Sequence, residues 1–145
     1  MDRPRFRPQT RCNSRPPLPS PPDPVWSIAE HGPTAYLVTN LKPLLEQYGA
    51  AFYINGHDHN LQHLNDNSTV NYVDCGPGHD YDTSNAHAGD VPAGSSKFFA
   101  APINGGFCHL AIADAKTANV DLIDGGSGSV LHSIPSVNPR ANRHV

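Results

Sequence analysis

The sequence predicts an α+β domain that contains more strand than helix. One segment with the apolar period of a helix is followed by several short segments of strand character, and no internal repeat is visible. Hydrophobic residues make up only 37% of the 145-residue chain. We therefore expect a core that is small for this length.

The N-terminal stretch differs in composition from the rest of the chain. Residues 1–24 hold eight of the fifteen prolines and five of the ten basic side chains. This predicts a disordered Arg/Pro-rich leader over residues 1–23, a folded domain over residues 24–135 and a tail over residues 136–145. Residues 15–19 have the composition of a polyproline ligand, but such short matches are weak, and we expect no protein partner for the leader.

A helix is predicted from Thr34, which can cap it, to Gly49, which can end it. Pro43 should kink this helix. Its apolar residues at helical spacing are Leu37, Leu41, Leu44, Leu45 and Tyr48.

A short buried strand is predicted over residues 50–54, ending at an Asn-Gly turn signal. A β-hairpin with its turn around residues 66–67 should follow, and then a long loop over residues 76–96 that is rich in Gly, Asp and His. The remaining predicted strands cover residues 97–101, 106–113, 119–123 and, at a sheet edge, 130–134.

The charge distribution argues against several classes of partner. The formal net charge is -3, and the body without its leader is more acidic, so we expect no nucleic-acid partner. No segment is long and apolar enough to span a membrane. Residues 1–24 also lack the apolar run of a secretory signal.

The cysteines suggest neither a disulfide framework nor a zinc ribbon, because there are three of them without CxxC spacing. Cys75 and Cys108 could pair, and buried thiols are the alternative. Residues 67–69 (Asn-Ser-Thr) form an N-glycosylation sequon, which has meaning only in a chain that enters the secretory pathway.

His57 and His59 are the first candidates for chemistry. Histidines two apart in an extended segment project to the same side, so they can face one ion or two neighbouring ions, while Asp58 points away. They follow a predicted strand, where open α/β sheets place their sites. An isolated pair of this kind is more often an ordinary polar turn, and a catalytic metal usually needs three or more protein ligands.

His31 is the second candidate. It precedes the predicted helix, where free backbone N–H groups suit an anion or a leaving group. The alternative is a capping or surface histidine.

Three segments together resemble the purple acid phosphatases, and in particular their small, tartrate-resistant animal members within the metallophosphoesterase superfamily. These segments are residues 24–34 (PVWSIAEHGPT), 41–45 (LKPLL) and 56–62 (GHDHNLQ). The similarity is ungapped over residues 24–62 and then thins to scattered agreement. It implies the C-terminal half of a four-layer α/β/β/α sandwich.

The resemblance also implies an activity, which is acid phosphatase hydrolysis of phosphate monoesters. The family uses a dinuclear centre of ferric iron with ferrous iron or zinc. His57 would bind the divalent ion, His59 would bind the ferric ion, and His31 would orient phosphate or protonate the leaving group. Such metals polarise phosphate oxygens and generate hydroxide, and a general acid assists departure of the alkoxide.

Only part of the family's ligand set has a counterpart in this sequence. Pro22 stands where a further histidine ligand is expected, and the aspartate, Gly-Asp-x-x-Tyr and Asn-His motifs are not found in residues 1–20. We therefore expect this chain to be incomplete as a two-metal enzyme.

Three functions follow as hypotheses: a phosphatase, a non-catalytic fragment or interaction module of the same family, and a scaffold bound through the leader. The resemblance implies a secreted or lysosomal compartment, to which the sequence adds no targeting signal, so the compartment stays unassigned.

Overall fold

The computed structural model describes residues 23–114 and 116–137. The predicted leader up to residue 22, with Cys12 and Pro22, and the tail from residue 138 lie outside them. The described part contains no helix long and apolar enough to cross a membrane. Its helices and strands are α1 Ala35–Asn40, α2 Lys42–Gln47, β1 Phe52–Asn55, β2 Leu61–Leu64, β3 Asn71–Cys75, β4 Ser96–Ala100, β5 Gly106–Ile112, β6 Thr117–Asp124 and β7 Val130–Val137.

The strands form two sheets. Sheet A has the order β1-β3-β2-β4, in which β1 is parallel to β3 and the other pairs are antiparallel. Sheet B is an antiparallel meander in the order β5-β6-β7. The predicted hairpin is confirmed as β2 and β3, and the predicted edge strand is confirmed as β7.

Sheet A is covered on both faces, because alternate side chains of each strand point to opposite sides. Leu64 and Tyr72 pack in one apolar cluster with the partly buried helix residues Leu37 and Leu45. The opposite face meets sheet B in a second cluster. Its buried members are Leu61, Val73, Val120, Leu122 and Ile134. The described layers are therefore helices, sheet A and sheet B.

A disulfide joins Cys75 at the end of β3 to Cys108 in β5, across 33 residues. The Cα atoms lie 5.9 Å apart, within the usual range for a disulfide. The bond links the two sheets. Of the two alternatives for these cysteines, a disulfide or buried thiols, the structure shows the disulfide.

The predicted helix is present but divided at Leu41. Pro43 lies in the first turn of α2, where proline is tolerated, and it has no N–H to donate to the Thr39 carbonyl, so the helical hydrogen-bond series is interrupted between α1 and α2. Gly49 ends the helical region with φ of 63°. No helix residue is fully buried, and Leu44 and Tyr48 of the predicted apolar stripe are exposed.

The prediction that β1 is a buried strand was wrong. Its first three residues are partly buried or exposed, and Ile54 has 41% of its surface exposed. The physical reason is that β1 is an edge strand of sheet A, paired on one side only in the described part of the chain.

Candidate active site

The loop of residues 57–60 connects β1 to β2, so it lies at the carboxyl end of β1 as predicted. The loop is bent, and His57 has φ of 91°, a conformation that L residues rarely adopt. The alternation expected of an extended segment therefore does not describe it. Both imidazoles are exposed, whereas Asp58 is fully buried.

Asp58 holds His31. The Asp58 carboxylate accepts hydrogen bonds from the His31 ring Nδ1 at 2.6 Å and from the His31 backbone N–H at 3.1 Å. It also accepts one from the hydroxyl of Ser27. A carboxylate can only accept, so the imidazole carries its proton on Nδ1, and Nε2 is left as the reactive nitrogen.

A buried amide network fixes this arrangement. The Ser27 hydroxyl oxygen accepts from the Ala29 backbone N–H at 3.0 Å and from Gln62 Nε2 at 2.8 Å. Gln62 Nε2 also donates to Asn60 Oδ1 at 2.7 Å, and Gln62 Oε1 accepts from the Ile28 N–H at 3.0 Å. Because these groups are mutually satisfied, the site is pre-organised by its surroundings.

His57 lies beside His31, with 3.9 Å between the ring centroids. Its Nε2 is 3.9 Å from a carboxylate oxygen of Asp23. His59 is held through its backbone, since its carbonyl accepts from the Asp82 N–H at 2.8 Å. The structure thus brings His31 and His57 together, and His59 contributes an exposed ring on the same loop.

The described residues do not fit a two-metal centre. No group of three or more His, Cys, Asp or Glu side chains within the described ranges is arranged to hold an ion, while a catalytic metal usually needs three protein ligands. His57 and His59 are therefore at most part of a ligand set.

A cleft of about 440 Å³ opens beside His31. His87 packs on Gly32, where a Cβ would lie 2.7 Å from the imidazole, and Gly32 also has φ of 66°. His87 Nδ1 is in turn 2.6 Å from Asp90. The cleft combines an apolar wall with imidazole and carboxylate groups. Its lining residues are Trp26, His31, Pro33, Ala35, Val38, Thr39, His87 and Asp90.

Asp74 is a second buried carboxyl near the site, and no motif or spacing in the sequence indicates it. Its Oδ2 accepts from Asn55 Nδ2 at 3.0 Å, while Asp74 Oδ1 and Asn55 Oδ1 have no hydrogen-bond partner in the described structure. Burial, and secondarily the nearby Asp58, raises the pKa of Asp74 to about 9. The group is therefore protonated at neutral pH.

Comparison with protein-family models gives no match. Among curated proteins, tartrate-resistant acid phosphatase type 5 of Homo sapiens is 45% identical over 110 residues, which is 74% of this chain and 34% of that protein. The same protein of Oryctolagus cuniculus is 52% identical over 91 residues, covering 61% of this chain and 28% of the relative. Purple acid phosphatase 7 of Arabidopsis thaliana is 36% identical over 111 residues, which cover 74% of this chain and 31% of that protein. The chain spans about a third of the length of these relatives.

A solved structure described as GAP50, the anchor in the inner membrane complex of Plasmodium, matches with a TM-score of 0.62. It is 23% identical and covers 79% of this chain and 34% of its own. At this identity the likeness concerns the fold alone.

The fold is metallophosphoesterase-like, and the chain is related to the purple acid phosphatases. More particularly, it matches the C-terminal part of tartrate-resistant acid phosphatase type 5. The resemblance predicted from residues 24–62 is therefore confirmed.

Proposed function

We propose that this chain takes part in acid phosphatase hydrolysis of phosphate monoesters, with His31 orienting the phosphate or protonating the leaving group. One observation carries the proposal. The His31 ring lines an open cleft while the buried Asp58 holds its Nδ1 at 2.6 Å.

Proton exchange with a substrate can take place only at His31 Nε2, because Asp58 occupies Nδ1. A protonated Nε2 donates to the ester oxygen as the P–O bond breaks, and a deprotonated Nε2 accepts a proton from an attacking water. Asp58 acts as a positioning residue for this imidazole. The neighbouring cleft has room for the organic part of an ester.

We infer that the family's dinuclear iron centre requires ligands beyond the described residues. His57 and His59 are the donors that this part of the chain offers. Since no third donor is grouped with them in the described structure, they form an incomplete set on their own.

The lack of a third grouped donor among the described residues favours a second candidate, a non-catalytic module of the family. Two exposed imidazoles would give it weak zinc affinity through His57 and His59. Such a module would turn over no phosphate ester.

The test is hydrolysis of p-nitrophenyl phosphate by the full chain at acid pH, with iron and zinc added. We expect His31→Ala to lower the rate by roughly 10²- to 10⁴-fold, and Asp58→Asn to lower it without abolishing binding of inorganic phosphate. His109→Ala is the matched control, because His109 is an exposed histidine on sheet B. Wild-type protein that shows no turnover above buffer would instead support the non-catalytic module.

We also infer the fourth layer of an α/β/β/α sandwich, packed on the outer face of sheet B. The side chains of Phe107 and Leu131 are apolar and exposed there, with 50% and 40% of their surface accessible. If a further layer covers them, Phe107→Asp lowers the free energy of unfolding by roughly 2 to 4 kcal/mol. An unchanged unfolding curve would contradict the fourth layer.

A further inference from the structure

The turn between β2 and β3 is held in one conformation by its own side chains. Asn65 Nδ2 donates to the carbonyls of Ser68 and Val70 at 3.2 and 3.1 Å. The Asn67 backbone N–H donates to Asn65 Oδ1 at 2.9 Å. The turn is also anchored to α2, since Asp66 forms an ion pair with the Lys42 ammonium at 3.1 Å.

Asn67 stands at the tip of this ordered turn. It is exposed and has φ of 67°, a left-handed conformation that asparagine tolerates better than most residues. Within the described ranges its side-chain amide takes part in no hydrogen bond, and Thr69, two residues on, is exposed as well. The amide is therefore accessible in the folded protein.

The tripeptide Asn67, Ser68 and Thr69 is the single N-x-Ser/Thr sequon of the sequence, and its middle residue is not proline. The hydroxyl required at the third position is thus present. The turn lies at the opposite end of β2 from the loop of residues 57–60, so a bulky group on Asn67 would leave the histidine site open.

The disulfide is an independent observation on the compartment in which this sequon would lie. Cys75 and Cys108 form a disulfide that links the two sheets, and structural disulfides persist mainly in secreted, luminal or cell-surface proteins. Those are the compartments that proteins reach through the site of N-glycosylation. The cross-link and the exposed sequon therefore indicate the same route.

We propose that Asn67 is a site of N-linked glycosylation. The donor is a lipid diphosphate-linked oligosaccharide. The bond from the sugar's anomeric carbon to the diphosphate oxygen breaks, the carbon bonds to Asn67 Nδ2, the amide loses one proton, and the lipid diphosphate leaves. The glycan shields the turn. Its attachment does not depend on phosphatase activity, so a negative result for one proposal leaves the other standing.

The test is translation of the full chain, behind a cleavable signal sequence, in the presence of endoplasmic-reticulum microsomes. We expect one gel shift that peptide:N-glycosidase removes. Asn67→Gln and Thr69→Ala should abolish the shift, and Thr69→Ser should retain it because serine also supplies the hydroxyl. Asn85→Gln is the matched control, since Asn85 is exposed but lies outside any sequon.

A variant with a second Asn-Ser-Thr sequence appended after Val145 shows whether the chain has reached the lumen. Glycosylation of the appended sequence but not of Asn67 would overturn the proposal. A shift that persists in Asn67→Gln would overturn it too, because the sugar would then lie elsewhere.

Discussion

At the scale of single residues, Asp58 organises the site more than either histidine beside it. Alternation along the chain predicted that its side chain points away from His57 and His59, and it is buried. Its partner could not be predicted, because His31 lies 27 residues earlier and the contact depends on the fold. The sequence shows only that Asp58 lies between two histidines, and its burial and its role follow from the fold.

Gly76 lets the loop of residues 57–60 approach the end of β3. A Cβ at this position would lie 1.7 Å from the Asp58 carbonyl oxygen, so backbone would have to move. We expect Gly76→Ala to lower the free energy of unfolding by about 1 to 3 kcal/mol, measured by urea denaturation. Gly78→Ala is the control, because nothing lies within 4 Å of a Cβ there. Equal stability of the two variants would refute the close approach.

Asp74 should make stability depend on pH. Its pKa rises from 3.8 to about 9 on folding, so between these values the folded state keeps a proton that the unfolded state releases. Stability contributed by this group is present below about pH 4 and is lost as the pH rises towards 9. We expect Asp74→Asn to lose less stability than the wild type between pH 5 and 8, by at least about 1 kcal/mol. The exposed Asp80→Asn should follow the wild-type curve.

At the scale of helices and strands, the periodicity of apolar residues predicted most of the observed elements. The strands of sheet B and the hairpin follow from alternation and turn residues, because those signals are local. The exposure of β1 and of Leu44 could not be predicted, because the burial of a residue depends on which neighbours pack against it. Chain order likewise gives no sign that β1 pairs with β3 in parallel.

A histidine pair connects the two sheets. His63 Nδ1 of β2 is 3.0 Å from His132 Nε2 of β7, and His63 Nε2 is 3.0 Å from Asn71 Oδ1. Since the Asn71 oxygen accepts, His63 carries its proton on Nε2, and Nδ1 accepts from His132. Burial lowers the pKa of both histidines, and Lys97 and His132 lower that of His63 further. Protonation of both rings would set two donors against each other.

This pair should make the chain less stable in acid. Because both pKa values lie below 6.5 in the folded state, the unfolded state binds more protons, and stability is lost as the pH falls below about 6.5. We expect His63→Gln to lose less stability than the wild type between about pH 7.5 and pH 5, measured by urea denaturation. His109→Gln, which alters an exposed histidine, should behave as the wild type. Parallel curves for His63→Gln and the wild type would contradict a titrating pair.

At the scale of the whole molecule, the two sheets meet through one small apolar cluster, the pair of His63 and His132, and the cross-link. The sequence could not establish this pairing, since three cysteines allow several outcomes and only the fold brings Cys75 and Cys108 within reach. The apolar cluster between the sheets has only five fully buried members. A cross-link should therefore provide a large share of the stability of their association.

We expect reduction of this disulfide, or the double change Cys75→Ser and Cys108→Ser, to destabilise the protein by roughly 3 to 4 kcal/mol, the loss of chain entropy estimated for a closed loop of this length. The measurement is urea unfolding with and without dithiothreitol, in a Cys12→Ser background that removes exchange with the third thiol. The Cys12→Ser protein without reductant is the control. If the reduced and oxidised forms unfold at the same urea concentration, the apolar cluster and the histidine pair hold the sheets together, and the cross-link does not contribute to stability.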